Sequence, residues 1–145
     1  MFRIDLPIPP SVNQIWKRGR HGVFLSQEAR DFYTVAVPKI KKKVGEHNRL
    51  SKFPISHKIY ANMTFYWNDG RCRDSDNYVK CVKDALQKGG LVSNDRFIEV
   101  STDSFVIRDI EPKVIVETLL SAKGQEKGEH RLVRHFPALN NLEGK

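Results

Sequence analysis

The sequence predicts a single α+β domain in which two main helices pack on one face of a mixed β-sheet. Strand-like and helix-like segments alternate irregularly along the chain, and no linker long enough to separate two domains precedes residue 121. The length of 145 residues also suits one substantial core. We therefore expect one domain over residues 1–120, followed by a tail, 121–145, that is partly flexible or docked.

The first third of the chain predicts a strand, a basic loop and a helix. Apolar and polar residues alternate over residues 2–6, and a proline-rich loop follows. Basic side chains then cluster between Lys17 and Gly22, which is typical of a hairpin tip or a mobile loop. Two interpretations of this cluster stay open: its side chains bind phosphate groups, or they belong to a solvated turn. Ser26 is a favoured N-cap for the helix, and Pro38 should kink or break it.

The middle and the end of the domain predict a long strand, a second helix and two further strands. Over residues 55–67, alternate apolar residues should form one buried face, with polar residues opposite. An amphipathic helix follows over about residues 78–88, with Asn77 as its N-cap. The β-rich runs 97–108 and 113–119 are separated by a turn and should pair as an antiparallel hairpin.

Composition favours a nucleic-acid partner. The formal charge of +8 comes from 25 Lys and Arg against 17 Asp and Glu, and it favours a polyanion, with simple solubility as the alternative. Cys72 and Cys81 lack the spacing of a zinc site, so we expect free thiols in a reducing cytosol. No apolar segment approaches the roughly 20 residues that cross a bilayer. We expect a cytoplasmic protein with no membrane association and, without a Gly-rich phosphate loop, no nucleotide cofactor.

An acidic cluster stands out in this basic chain, because five of the nine aspartates lie between residues 69 and 95. Asp74 and Asp76 are two residues apart, so their carboxylates project to the same side of an extended segment. Asp95 would join them if the strand ending near residue 67 lies beside the strand beginning near residue 97. Three carboxylates suit Mg²⁺, with Mn²⁺ as a substitute. A nearby Lys80 would then stabilise the attacked phosphate or orient the attacking water.

A plainer interpretation of the same residues stays open. Asp74, Asp76 and Asn77 are also common turn and capping residues, and Asp76 with Lys80 could form a surface ion pair. Asp84 is expected to pair with Lys80 or a later lysine on the helix surface, outside the primary site.

The order of these motifs resembles the RusA family of Holliday junction resolvases. The resemblance rests on residues 71–80 (RCRDSDNYVK) and 84–95 (DALQKGGLVSND), with a proline-rich start at 7–13 (PIPPSVN), and it covers about residues 2–120. It implies a Mg²⁺-dependent homodimer that cuts four-way DNA junctions by paired incisions on opposed strands. Two departures are the pair Asn94-Asp95, where family members often have two acids, and the tail beyond the usual end.

Position by position, the resemblance assigns the chemistry to four residues. Asp74, Asp76 and Asp95 match the catalytic, metal-binding aspartates, and Lys80 matches the catalytic lysine. The leading hypothesis is therefore a structure-selective endonuclease. The alternatives are a branched-DNA-binding protein without catalysis and a nuclease of the same fold that acts on flaps or other branched DNA. The residues expected to hold DNA phosphates are basic: Lys17, Arg18, Arg20, Arg71 and Arg73.

Overall fold

The computed structural model describes residues 1–47 and 52–120, so the expected tail, 121–145, lies outside the described residues. Within the described residues there are two α-helices and six strands, and short 3-10 helices lie at Val12–Gln14 and Asp95–Phe97. The elements are β1 (Phe2–Pro7), β2 (Trp16–Gly19), β3 (Gly22–Leu25), α1 (Gln27–Glu46), β4 (Ile59–Trp67), α2 (Asp76–Lys88), β5 (Ile98–Val106) and β6 (Lys113–Thr118).

The main sheet is mixed, with the strand order β1-β6-β4-β5, while β2 and β3 form a separate two-stranded hairpin. β4 and β5 run parallel, and α2 provides the crossover that parallel neighbours require. β6 is antiparallel to both β4 and β1. The predicted α+β class with a mixed sheet is confirmed.

The predicted hairpin of the last two strands is wrong, because β5 and β6 lie on opposite sides of β4. β4 is the most apolar strand, and it occupies the centre, where both of its edges gain backbone hydrogen bonds. The turn between the later strands therefore carries the chain across β4 instead of folding it back on β5.

The hydrophobic core lies between the helices and one face of the sheet. Alternate residues of β4 (Ile59, Ala61, Met63, Phe65 and Trp67) pack with the buried sides of both helices. The opposite face carries the polar residues, and two of them are also buried: Asn62 is only 1% exposed and Thr64 only 5%. Ser101 donates to Asn62 Oδ1 over 2.9 Å, and Asn62 Nδ2 donates to the Thr64 hydroxyl over 3.1 Å. These bonds satisfy the polar groups of the two buried side chains.

Helix α1 begins where the sequence predicts. Ser26 Oγ accepts a hydrogen bond from the backbone N–H of Ala29 over 3.1 Å, which is an N-cap bond. The predicted break at Pro38 does not occur, since the helix runs unbroken from Gln27 to Glu46. Proline has no backbone N–H, so the carbonyl of Thr34, four residues earlier, lacks its helical hydrogen bond. Both Pro38 and Thr34 lie on the exposed side of the helix. Water can therefore replace the missing donor at a modest cost.

Helix α2 begins earlier than the sequence predicts, and the assignment of Asn77 as its cap is wrong. Asp76 is the first helical residue, and Ser75 occupies the N-cap position without a capping bond from its side chain. Asp74 accepts from the backbone N–H of Asp76 through its side chain and from that of Asn77 through its carbonyl, each over 3.1 Å. Asp74 thus satisfies the backbone N–H groups of the first two helical residues.

Two smaller expectations can be compared with the described residues. Cys72 is exposed and Cys81 is buried, and both are free thiols. None of the helices in residues 1–47 and 52–120 is both long enough and apolar enough to cross a membrane.

A Ser26→Ala substitution is expected to lower the free energy of unfolding by about 1 kcal/mol, since it removes the cap of the longest helix. Urea denaturation followed by circular dichroism measures the change. Ser11→Ala is a matched control, because Ser11 holds the N-cap position of the first 3-10 helix without a side-chain bond. Equal losses in the two variants would contradict the assigned cap.

Candidate active site

Helix α2 carries the acidic cluster along one of its sides. Asp76, Lys80 and Asp84 follow one another at four-residue steps, which places them on one helix face. Asp74 lies just before the helix, and Asp95 begins the 3-10 helix that leads into β5. The site is therefore built on one rigid helix and the two segments that flank it.

The first pair of carboxylates lies at the start of α2. Asp74 and Asp76 are both exposed, and Asp74 uses Oδ1 to accept the backbone N–H of Asp76 over 3.1 Å. Ser75, between them, lies 3.0 Å from the hydroxyl of Ser104 on β5. This contact fastens the loop to the sheet while both carboxylates face solvent.

The second pair lies further along α2, where the half-buried Asp84 carboxyl lies beside that of Asp95. Burial raises the pKa of Asp84 above its ordinary value, the contact with Asp95 adds to this, and Lys80 opposes it. Lys80 Nζ is 3.8 Å from Asp84 Oδ2. The backbone N–H of Asp95 donates to Gln87 Oε1 over 3.0 Å, which anchors Asp95 to the end of α2.

A hydroxyl and a thiol next to this second pair connect the two helices. The hydroxyl of Tyr33 on α1 donates to Asp84 Oδ2 over 3.4 Å and accepts from the Cys81 thiol over 3.3 Å. Burial raises the pKa of both the Tyr33 hydroxyl and the Cys81 thiol, so both groups stay protonated near neutral pH. Lys88 Nζ lies 3.9 Å from the centre of the Tyr33 ring. These contacts fix the position of Asp84.

One chain does not bring the three predicted aspartates together. β4 and β5 are parallel, so Asp74 follows the end of one strand while Asp95 precedes the start of the next, at the opposite end of the sheet. Asp84, the neighbour of Asp95, lies eight positions after Asp76 on α2, which corresponds to roughly 12 Å along the axis. Among the described residues, no three acidic, histidine or cysteine side chains form a group that could hold a metal ion.

The two pairs nevertheless have the chemistry that a divalent ion requires. Each offers only carboxylate oxygens, which suit Mg²⁺ or Mn²⁺, and Mg²⁺ commonly uses one or two carboxylates together with phosphate oxygens of a substrate. Asp84 and Asp95 also repel one another unless a proton or a cation lies between them. The donor set therefore fits a divalent ion, although the described part of one chain supplies it as two separate pairs.

The basic residues expected to bind DNA differ in how they are held. Arg73 is mostly buried against Trp67, and its guanidinium carbon lies 4.3 Å from the centre of the Trp67 ring. Its guanidinium donates two hydrogen bonds to the Asp69 carboxylate, over 2.6 and 3.1 Å. Arg73 also lowers the pKa of Asp69, to about 2. Lys17 pairs with Glu28 at 3.7 Å. In the ranges that the structure describes, Arg18, Arg20 and Arg71 are exposed and form no ion pair.

Sequence reasoning placed Asp84 on the helix surface as a partner of Lys80, and that ion pair is confirmed. It missed the burial of Asp84 and its contact with Asp95. The available signal was the spacing of Asp76, Lys80 and Asp84, which repeats every fourth residue and indicates a shared face.

Comparison with known proteins bears on this arrangement of side chains. Residues 7–118 match the family model described as endodeoxyribonuclease RusA. The chain is also 28% identical over 110 residues to the crossover junction endodeoxyribonuclease rusA of Enterobacteria phage HK97, a match that covers 76% of this chain and 84% of the phage protein. The family model spans both carboxylate pairs and most of the described domain. The chain therefore belongs to the RusA family of endodeoxyribonucleases.

Proposed function

We propose that the protein is a Mg²⁺-dependent, structure-selective endonuclease that resolves four-way DNA junctions by paired phosphodiester hydrolysis on opposed strands. The observation that carries the proposal is the match to the RusA family, which includes the complete run from Asp74 to Asp95. The name of the phage HK97 relative, a crossover junction endodeoxyribonuclease, supports the same substrate. The positive charge of the chain suits DNA.

The proposed metal ligands are Asp74, Asp76 and Asp95, with Mn²⁺ able to replace Mg²⁺. When bound, the ion would neutralise charge that develops on the phosphodiester and would lower the pKa of a nearby water. Asp74 and Asp76 present exposed carboxylates to an incoming phosphate. Their position on one solvent-facing segment supports this role.

We further propose that the protein works as a homodimer. A junction with twofold symmetry has two equivalent strands to cut, and a symmetric dimer places one site on each. The separation of Asp76 from Asp95 within one chain also favours a dimer, because a second chain would be the source of an Asp95 for the site at Asp74 and Asp76. A site that needs two chains would couple cutting to assembly on the junction.

Lys80 is the proposed transition-state stabiliser. Its ammonium lies 3.8 Å from Asp84 Oδ2, and Asp84 is itself held by Tyr33. A cation at this position opposes the negative charge of the attacked phosphate. Asp84 is accordingly a positioning residue for Lys80 and Asp95.

We assign the binding of phosphates along the DNA arms chiefly to the exposed Arg18, Arg20 and Arg71. Lys17 and Arg73, which already pair with acidic residues, would contribute less. Each phosphate contact releases condensed counterions, so binding should weaken steeply as salt rises. A shallow salt dependence would contradict a basic surface that follows the DNA backbone.

The test is a comparison of labelled substrates: a four-way junction, a flap and a linear duplex, each with Mg²⁺ and with EDTA. The proposal expects paired cuts in the junction with Mg²⁺, no cuts with EDTA, and little cutting of the other two. Preferred cutting of the flap would favour the branched-DNA nuclease instead. Tight junction binding without cutting in any metal would favour the non-catalytic alternative.

An Asp84→Asn variant is expected to lower the rate of junction cleavage by about 10- to 100-fold, as removal of a group that supports a ligand often does. Junction binding in EDTA should change little. Asp109→Asn is the control, because Asp109 is an exposed turn residue at a φ of 65°, a backbone region that asparagine tolerates. A rate for Asp84→Asn equal to that of the control would remove Asp84 from the site.

A further inference from the structure

The β2–β3 hairpin exposes aromatic side chains that the proposed cleavage chemistry does not use. Trp16 is 54% exposed and Phe24 is 47% exposed, and Val23, beside the turn, is also exposed. The hairpin forms a sheet of its own, and neither aromatic side chain belongs to the buried core. Large aromatic side chains are costly to leave in water, which indicates a surface with an occupant.

Register places an apolar group and a basic group on each face of the hairpin. Trp16 shares one face with Arg18 and Val23, while Phe24 shares the other with Lys17, its partner across the strands. The Phe24 ring also lies directly over Gly19, since a Cβ at that position would be 2.6 Å from the ring. The Phe24 ring therefore packs against the backbone of the hairpin and does not extend freely into solvent.

The base of the hairpin is fixed to the domain near the candidate site. The backbone N–H of Ser26 donates to the carbonyl of the buried Ile15 over 2.9 Å, which closes the hairpin directly at the start of α1. The 3-10 helix Val12–Gln14, which leads into β2 at this same base, contacts α2. Tyr33, which bonds to Asp84, lies on α1 roughly 10 Å from its N-terminus.

The positive charge of the hairpin indicates which class of partner it would bind. No acidic residue occurs between Asp5 and Glu28, while Lys17, Arg18 and Arg20 all lie within the hairpin or its turn. A second copy would present the same cations, and like charges disfavour contact between two hairpins. Basic groups beside aromatic rings match a nucleic acid whose base faces are accessible.

We propose, building on the proposed function, that this hairpin enters the branch point of the DNA and that Trp16 and Phe24 stack on bases that are unpaired there. Intact duplex offers base edges and phosphates but no free base face, whereas an opened branch point exposes several faces. Arg18 and Arg20 contact the phosphates on either side. Stacking is tolerant of sequence, so the hairpin reads the branched shape of the substrate.

The experiment measures binding to a four-way junction and to a duplex of equal length in EDTA, where no cutting occurs. Trp16→Ala and Phe24→Ala should each lower the ratio of junction to duplex affinity by about tenfold. Trp16→Phe should keep most of this ratio, because phenylalanine can still stack. Val35→Ala is the matched control, since Val35 is an equally exposed apolar residue on α1 and is 54% exposed.

Tryptophan emission gives an independent readout. The chain has two tryptophans, and Trp67 is buried, so quenching on junction binding should come from Trp16 and should disappear in Trp16→Phe. Unchanged affinity ratios in both alanine variants, together with unquenched emission, would overturn this inference while leaving wild-type junction cleavage intact. If the wild-type protein neither prefers nor cuts the junction, the proposed function fails, and the inference fails with it.

Discussion

An Asp76→Asn variant is expected to cleave the four-way junction at least about a thousandfold more slowly than the wild type, while it still binds the junction. Asparagine keeps the size of the side chain but removes the charge that would hold a divalent ion, and a thousandfold loss corresponds to about 4 kcal/mol. In the described part of the chain, the Asp76 carboxylate accepts no hydrogen bond, so the fold should be little affected. Single-turnover cleavage with excess protein and Mg²⁺ measures the rate, and gel-shift binding in EDTA measures the affinity.

Asp31→Asn is the control, because Asp31 is an exposed helical carboxylate on α1 that bonds to Gln27. It should cut at the wild-type rate. Undiminished cleavage by Asp76→Asn would remove Asp76 from the metal site.

Mixing two inactive variants tests whether the site is shared between chains. If Asp76 of one chain works with Asp95 of the other, a mixed dimer of Asp76→Asn and Asp95→Asn contains one intact site and should nick one strand of the junction. If both aspartates act within one chain, every site in the mixed dimer is damaged and no activity returns.

Local patterns in the sequence predicted most of the secondary structure but not the arrangement of its strands. The alternation in residues 59–67 identifies a strand, because side chains on a strand point to opposite faces in turn. That alternation is the same for parallel and antiparallel neighbours, so it contains no information about direction or partner. This is why the later strands were expected to pair with each other instead of flanking β4.

Strand direction also decided how far the site could be predicted. Motif order predicted Asp74, Asp76, Lys80 and Asp95 as site residues, and their expected convergence in one chain depended on an assumed placement of two strands. Parallel pairing of β4 and β5 puts Asp95 beside Asp84, two helical turns from Asp76. Only the tertiary structure shows that the acidic cluster is two separate pairs, with Lys80 in contact with the second.

A Lys80→Ala variant is expected to lower the rate of junction cleavage by about a hundredfold or more, equivalent to about 2.7 kcal/mol, as loss of one positioned transition-state group does. The affinity for the junction should fall by much less, because an attacked phosphate gains charge only in the transition state. The measurement is again single-turnover cleavage beside binding in EDTA. Lys83→Ala is the control, since it removes the same charge from the same helix, and Lys83 forms no ion pair in the described ranges.

The contact between Lys80 and Asp84 allows a sharper test of how the two residues act. If Asp84 works by positioning Lys80, then Asp84→Asn should cost much less in a Lys80→Ala background than in the wild type, because the group that it positions is already gone. If Asp84 instead works mainly through Asp95, its cost should be the same in both backgrounds. Equal cleavage by Lys80→Ala and Lys83→Ala would show that the lysine contributes only general positive charge, and the transition-state role would then be lost.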